Sequence, residues 1–261
     1  MKKFIIFISC ILCWTCSQDT QNQNIEEEIL TTRYIAGNGF FYTNCPESPA
    51  IKSWDYPIKP GTEAWVQLKT HEAMVNACQI PDNILSSLST KALTDICLQY
   101  PLLSNILAFN DLNDGINTLF DEFNGVRELF EREEASKELL DRYNCQIQNL
   151  SLLDDETSSE LNKGGFLLTI SKMESLLSRA NENYKEILQG LVSGYEQKTD
   201  YQEYFQGLAH NFFARAHIIK KMCRECIEEL PQQDKNAIFG GMFLDEQTAA
   251  IINQLSYQLI Q

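Results

Sequence analysis

The chain has 261 residues, of which 44% are hydrophobic and 22% charged, and its 36 acidic and 21 basic side chains give a net charge of −15. A chain of this length and composition buries roughly 70% of its unfolded surface, so it needs no dense disulfide scaffold to hold a core. Unaided binding to nucleic acid or to anionic headgroups needs clustered Lys and Arg, which this balance excludes, and no apolar run reaches the 20 or so residues of a membrane-spanning helix.

Met1-Lys2-Lys3 gives a positive start, and Phe4–Trp14 follows as an apolar run of eleven residues. The lysines before the run and the polar Ser17–Asn24 after it read as an export signal rather than a buried helix. Residues 1–16 are therefore expected to be a signal peptide, with Cys16 as the lipidation site and 17–28 as a polar tether. A thiol at the mature N-terminus is what thioether acylation requires, and two or more acyl chains anchor stably. Cys13 and Thr15, however, stand where a lipoprotein signal usually has an aliphatic and a small residue. Cleavage after Ser17 is the competing reading. The expected location is the cell envelope, outer membrane or periplasm, with the membrane reached through the anchor on Cys16.

Residues 29–61 form an aromatic, Pro-containing segment expected to wrap over the rest. Arg33–Ala36 and Phe40–Thr43, flanking Gly37-Asn38-Gly39, suggest a small hairpin. Phe40, Phe41, Tyr42, Trp54 and Tyr56 are candidate interaction residues, because exposed aromatics commonly anchor interfaces. The alternative is that these rings cap the core, since burying an aromatic ring is so favourable.

From Thr62 the apolar spacing is helical. Trp65, Leu68, Met74, Val75 and Cys78 predict one helix over Thr62–Gln79, stopped by Pro81. Ser89 is an N-cap for Thr90–Tyr100, and Asp111 for a helix carrying Leu112, Ile116, Leu119, Phe120 and Phe123. Asn124-Gly125 marks a break, and helical spacing resumes to about Asn144. Residues 62–145 are thus a first helical half, the polar 146–165 a linker, and 166–261 a second half. The second half holds patterns at Phe166–Ala180, Tyr184–Tyr195 and Phe205–Leu230, and a last helix capped by Asp245. The fold expected is all-α: a multi-helix bundle or irregular solenoid in two halves.

Pro60-Gly61-Thr62-Glu63-Ala64-Trp65, Ala77-Cys78-Gln79-Ile80-Pro81, Leu88–Tyr100 before Pro101, and Phe109–Asn124-Gly125 with Glu128-Leu129-Phe130-Glu131-Arg132 together form a distinctive block. Over roughly residues 60–143 it resembles an uncharacterised family of exported, lipoprotein-like proteins from Bacteroides-type gut bacteria, which share variants of PGTEAW, ACQIP, STxxLxxxCxxYP and FNGxxELxxR. The resemblance implies an exported compartment and a helical fold, and brings no activity, cofactor or site residue. Read physically, these are packing and punctuation residues.

Nine cysteines divide into Cys10, Cys13 and Cys16 in the signal region and Cys45, Cys78, Cys97, Cys145, Cys223 and Cys226 beyond it. Six in an exported chain allow up to three disulfides. Cys78 and Cys97 lie in apolar helical patterns and read as core filler. Cys223-Arg224-Glu225-Cys226 is the one CxxC. It falls late in a long helical pattern, not at the helix N-terminus a redox pair favours, so a structural role outweighs disulfide, redox or metal roles there.

Of the three histidines, His210 and His217 are seven apart, about 10 Å along a helix and too far for joint ligation of one metal. No GxSxG elbow, phosphate-binding Gly-rich loop or HExxH is present. Asp111 and Asp114 around Gly115 fail the register of a calcium loop, with Leu112 where an oxygen ligand belongs. Glu174, amid Ile170–Leu177, is the oddest acid in the chain, and burial would raise its pKa. Nearby Lys172 and Ser175 place it instead at the edge of the apolar stripe. The chain is read as no enzyme and as having no cofactor: an envelope protein with a helical binding or structural role, its partner another envelope protein or a glycan and not nucleic acid. The alternative is an exported hydrolase acting on glycan or peptide through paired carboxylates.

Overall fold

A computed structural model of the chain describes residues 54–154, 160–201, 204, 209–240 and 245–261, together with the backbone of 32–35 and 39–42. The expected signal peptide, tether and Cys16 lie outside the described residues. In the aromatic segment, strands β1 (Thr32–Ile35) and β2 (Gly39–Tyr42) pair antiparallel, Thr32 opposite Tyr42 and Ile35 opposite Gly39. The body that follows is all-α.

Five of its helices begin where a short polar side chain satisfies one of the first free N–H groups. Thr62 caps α1 (Glu63–Val66), Thr70 caps α2 (His71–Ala77), and Ser89 caps α4 (Thr90–Leu98) after the single turn of α3 (Asp82–Leu85). Asp111 accepts from the Asn113 N–H at 2.7 Å to start α5 (Leu112–Glu122), and Asp245 from Thr248 at 2.8 Å to start the last helix. Thr70 accounts for one departure from expectation. The helix predicted over Thr62–Gln79 is two, because the Thr70 hydroxyl takes the Ala73 N–H at 3.1 Å and restarts the chain in a new direction. Extended Phe123 then separates α5 from α6 (Asn124–Glu131), and Glu134, at a left-handed φ of 65°, precedes α7 (Ala135–Gln148).

Residues 146–165, expected as a linker, are largely helical. Gln146–Gln148 close α7, Leu150–Asp154 form a 3-10 turn, and α8 (Glu160–Leu177) begins before the expected end. Nor do the two halves keep separate cores. One hydrophobic cluster runs from Leu93, Phe123 and Tyr143 through Phe166 and Ile187 to Ile219 and Ile252. In the second half come α9 (Tyr184–Thr199), α10 (Ala209–Met222), α11 (Arg224–Glu228), α12 (Gln232–Gly240) and α13 (Glu246–Ile260). Helix α10 is the hub, packing on α8, α9, α11, α12 and α13, while α7 joins the halves by packing on α4, α8 and α9. Among the described residues no helix is long and apolar enough to cross a membrane.

Candidate functional site

Glu174 is the acid the sequence singles out, and it lies inside the body. It is 2% exposed on α8, with Lys198 of α9 only 1% exposed beside it. The Lys198 ammonium pairs with Glu174 Oε1, which also accepts from the Tyr143 hydroxyl at 2.8 Å and from Asn211 Nδ2 at 2.9 Å. Asn211 Nδ2 also donates to the Leu191 carbonyl at 2.9 Å. Four helices, α7 to α10, thus meet on one carboxylate. Burial pulls the Lys198 pKa below its ordinary value, with Glu174 pulling the other way. Burial pushes the Tyr143 hydroxyl well above its usual range, so it stays protonated and donates. The carboxylate is surrounded by donors, not by a second acid, which is the geometry of an interhelical clasp. Nearby, Arg215 is fully buried, donating Nε–H to Ser256 Oγ at 2.9 Å between the rings of Tyr195 and Phe212.

The sequence reading missed Lys198, Asn211 and Arg215, although a signal was present. Lys198 stands seven residues after Leu191 and three after Tyr195, on the apolar stripe of α9, and Arg215 stands three after Phe212 on that of α10. A cation on an apolar stripe needs a buried partner.

The histidines occupy unrelated places. His210 Nδ1 is 3.2 Å from the Ser175 hydroxyl, but Ser175 is fully buried and its proton goes to the Ser171 carbonyl at 2.8 Å, so this serine is not poised as a nucleophile. His217 lies between the Phe213 and Phe239 rings, at 4.5 and 4.9 Å, and burial with Arg179 and Lys221 nearby lowers its pKa to about 3. His71 pairs with Glu122 at 2.9 Å.

The CxxC departs from expectation in two respects. Cys223 breaks the long helix predicted over Phe205–Leu230 and caps α11 with its sulfur, and Cys223 is disulfide-bonded to Cys226 rather than serving as filler. Cys145 is also disulfide-bonded, its partner lying outside the described residues. Cys78 and Cys97 are free and buried, as the apolar pattern implies.

Of the candidate interaction residues, Tyr56 is withdrawn from the surface. It is 5% exposed, donates to the Ile96 carbonyl at 2.9 Å and meets Trp54 edge-on at 4.7 Å. Trp54 is partly buried against the core. Both therefore follow the core-capping reading. The side chains of Phe40, Phe41 and Tyr42 lie outside the described residues, and the backbone of β2 runs beside α8.

The motif block joins itself across more than 40 residues of chain. Asn124 bonds Ile80 as a backbone strand would, accepting from its N–H at 3.0 Å and donating to its carbonyl at 2.7 Å, while Gln79 accepts from the Asn124 N–H at 3.1 Å. A Cβ on Gly125 would fall 2.4 Å from the Phe123 ring and 2.8 Å from Ile80 Cδ1, so any larger residue there would have to push these buried side chains aside. Arg132 donates to the Leu85 and Leu88 carbonyls at 2.7 and 2.5 Å, closing the end of α3. No family model, no curated protein and no solved structure matches the chain.

Proposed function

We propose that this chain is an exported cell-envelope protein, lipid-anchored through Cys16, whose helical body has a binding or structural role toward another envelope protein or a glycan. The observation that carries the reading is the cysteine chemistry. Cys223–Cys226 is a disulfide at a partly exposed position and Cys145 is disulfide-bonded as well, in a body that also has a large hydrophobic core. Disulfides persist in oxidising compartments and are rare where glutathione keeps thiols reduced. The Lys-Lys-apolar start and the polar stretch after Cys16 support the same compartment, and the −15 charge supports a partner other than nucleic acid. The clasp at Glu174 supports a structural use for the most unusual acid. Palmitate labelling and fractionation of cells test the proposal: the chain should label and fractionate with membranes, and Cys16→Ser should do neither. Equal labelling of Cys16→Ser, or a cytosolic chain with Cys223 and Cys226 reduced, would overturn it.

A further inference from the structure

Cys223 and Cys226 are both partly exposed, with Arg224 and Glu225 between them open to solvent. Their disulfide spans two residues, at the junction of α10 and α11. So short a link restrains little of the unfolded chain, because the loop-closure entropy it removes grows with the length of the loop. The junction is also held without it. The Cys223 N–H donates to the Ile219 carbonyl at 2.7 Å, Ile227 is 1% exposed in the core, and Lys235 Nζ donates to the Glu228 carbonyl at 3.0 Å. The bond can therefore open with α10, α11 and α12 still in place. Cys78 and Cys97, the free thiols among the described residues, are buried and held protonated, so they offer no comparable chemistry.

The two sulfurs differ in their surroundings. Cys223 Sγ accepts the Cys226 backbone N–H at 3.3 Å, whereas no donor reaches Cys226 Sγ among the described residues. α11 has five residues, so what it brings to Cys223 is one directed N–H rather than a helix dipole. Of the charged neighbours in sequence, Arg224 pairs with Glu228, Lys221 donates to the Ser178 and Ala180 carbonyls, and Lys220 lies over the Phe239 ring. Glu225 remains. Its Oε2, 4.0 Å from Cys223 Sγ, opposes a negative charge there, but it is exposed and screened, while the N–H is aimed at the sulfur. Hydrogen bonds to an ionised group are about twice as strong as neutral ones, so this N–H favours a thiolate on Cys223.

We propose that Cys223–Cys226 is a thiol–disulfide exchange site that oxidises a pair of cysteine thiols on another polypeptide. A substrate thiolate attacks Cys226 Sγ and forms a mixed disulfide with it. The Cys223–Cys226 bond breaks, and its electron pair passes to Cys223, whose thiolate keeps the Cys226 N–H. The second substrate cysteine, deprotonated in turn, attacks the first substrate sulfur, which closes the substrate disulfide and expels the Cys226 thiolate. The two protons lost by the substrate thiols end on Cys223 and Cys226 through solvent. Two electrons thus pass from the substrate to this chain, once per chain, and no other oxidant enters. The better leaving group sets which sulfur is attacked, since the thiol of lower pKa leaves faster. This inference rests on neither export nor lipid anchoring.

Mixing the purified oxidised chain with a reduced, unstructured peptide carrying two cysteines tests it, with acid quenching, alkylation and mass spectrometry as the readout. The peptide should become oxidised as Cys223 and Cys226 become open to alkylation, and faster than by oxidised glutathione at equal concentration. Cys145 should stay bonded and the helical circular dichroism unchanged. Two variants test the asymmetry. Cys226→Ser keeps the backbone N–H on Cys223, while Cys223→Ser leaves the Cys226 thiol alone. Ultraviolet titration of the thiolates should place Cys223 about one pH unit below Cys226, the worth of a charge-assisted hydrogen bond over a neutral one. No transfer to the peptide, a rate no greater than that of oxidised glutathione, loss of helix on reduction, or a Cys223 thiol titrating no lower than Cys226 would each overturn the proposal.

Discussion

Replacing Lys198 with Met tests the clasp most directly, because the side chain keeps most of its length and loses only its charge. In the variant the Glu174 carboxylate remains 2% exposed and retains Tyr143 at 2.8 Å and Asn211 at 2.9 Å, with the Lys198 ammonium gone. Stranding one member of a buried pair costs about 3–5 kcal/mol, a large share of the 5–15 kcal/mol that holds a typical protein folded. At about 2–4 °C per kcal/mol for a body of this size, the melting temperature should fall by roughly 6–20 °C. The double variant Glu174→Leu/Lys198→Met removes both charges, and an apolar replacement of a whole buried pair is often neutral or better. It also deprives the Tyr143 hydroxyl and the Asn211 amide of their acceptor, at about 1–3 kcal/mol each if left unpaired. The double variant should therefore be destabilised, but less than Lys198→Met alone. Urea unfolding followed by circular dichroism, with the disulfides intact, measures all three chains. A Lys198→Met loss below about 1 kcal/mol, or a double variant weaker than the single, would refute the clasp.

Three further outcomes follow from the same packing. His217 holds its pKa near 3 in the folded chain against an ordinary 6.5, so below pH 6.5 the unfolded chain binds a proton that the native one does not. This stability is fully present above pH 6.5 and falls toward pH 3 by about 1.4 kcal/mol per unit, roughly 2 kcal/mol between pH 7.5 and 5. Urea titrations should show His217→Phe lacking this component, and identical pH slopes would contradict it. Burial raises the Cys78 thiol to about 12 and Cys97 well above its ordinary value, so iodoacetamide at pH 8 should leave both untouched in the native protein and label both once it unfolds. Mass spectrometry of native protein carrying label on either would refute this. Gly194→Ala places a methyl on the Tyr143 hydroxyl, disturbing the clasp, and should cost about 1–3 kcal/mol. Gly164→Ala, on the exposed side of α8 with nothing within 4 Å, should instead stabilise by about 0.5–1 kcal/mol. Equal effects at the two sites, measured by thermal unfolding, would show that the packing at Gly194 is looser than described.

Local signals account for what was legible from the residues alone. Ser89, Asp111 and Asp245 cap helices because an N-cap acts within three residues, and the apolar stripes of α5, α8 and α9 announce which faces turn inward. The all-α class followed from these, as did the burial of Cys78 and Cys97. Thr70 is the same kind of signal, passed over because the stripe from Trp65 to Cys78 runs unbroken through it. The polar stretch 146–165 misled for a related reason: polarity marks an exposed face as readily as a loop, and most of this stretch is helical.

Amino-acid order alone therefore settles where α4, α5 and α13 start and which side of each is apolar, since caps and stripes act over one to three turns. Tertiary packing decides which stripes face one another, and with that whether Lys198 meets Glu174 and whether Asn124 reaches Ile80. It also decides that the Tyr100 hydroxyl ends buried without a hydrogen-bond partner among the described residues. The free energy of a buried charge or hydroxyl depends on distant groups brought within about 3 Å, and no periodicity along one helix encodes that distance.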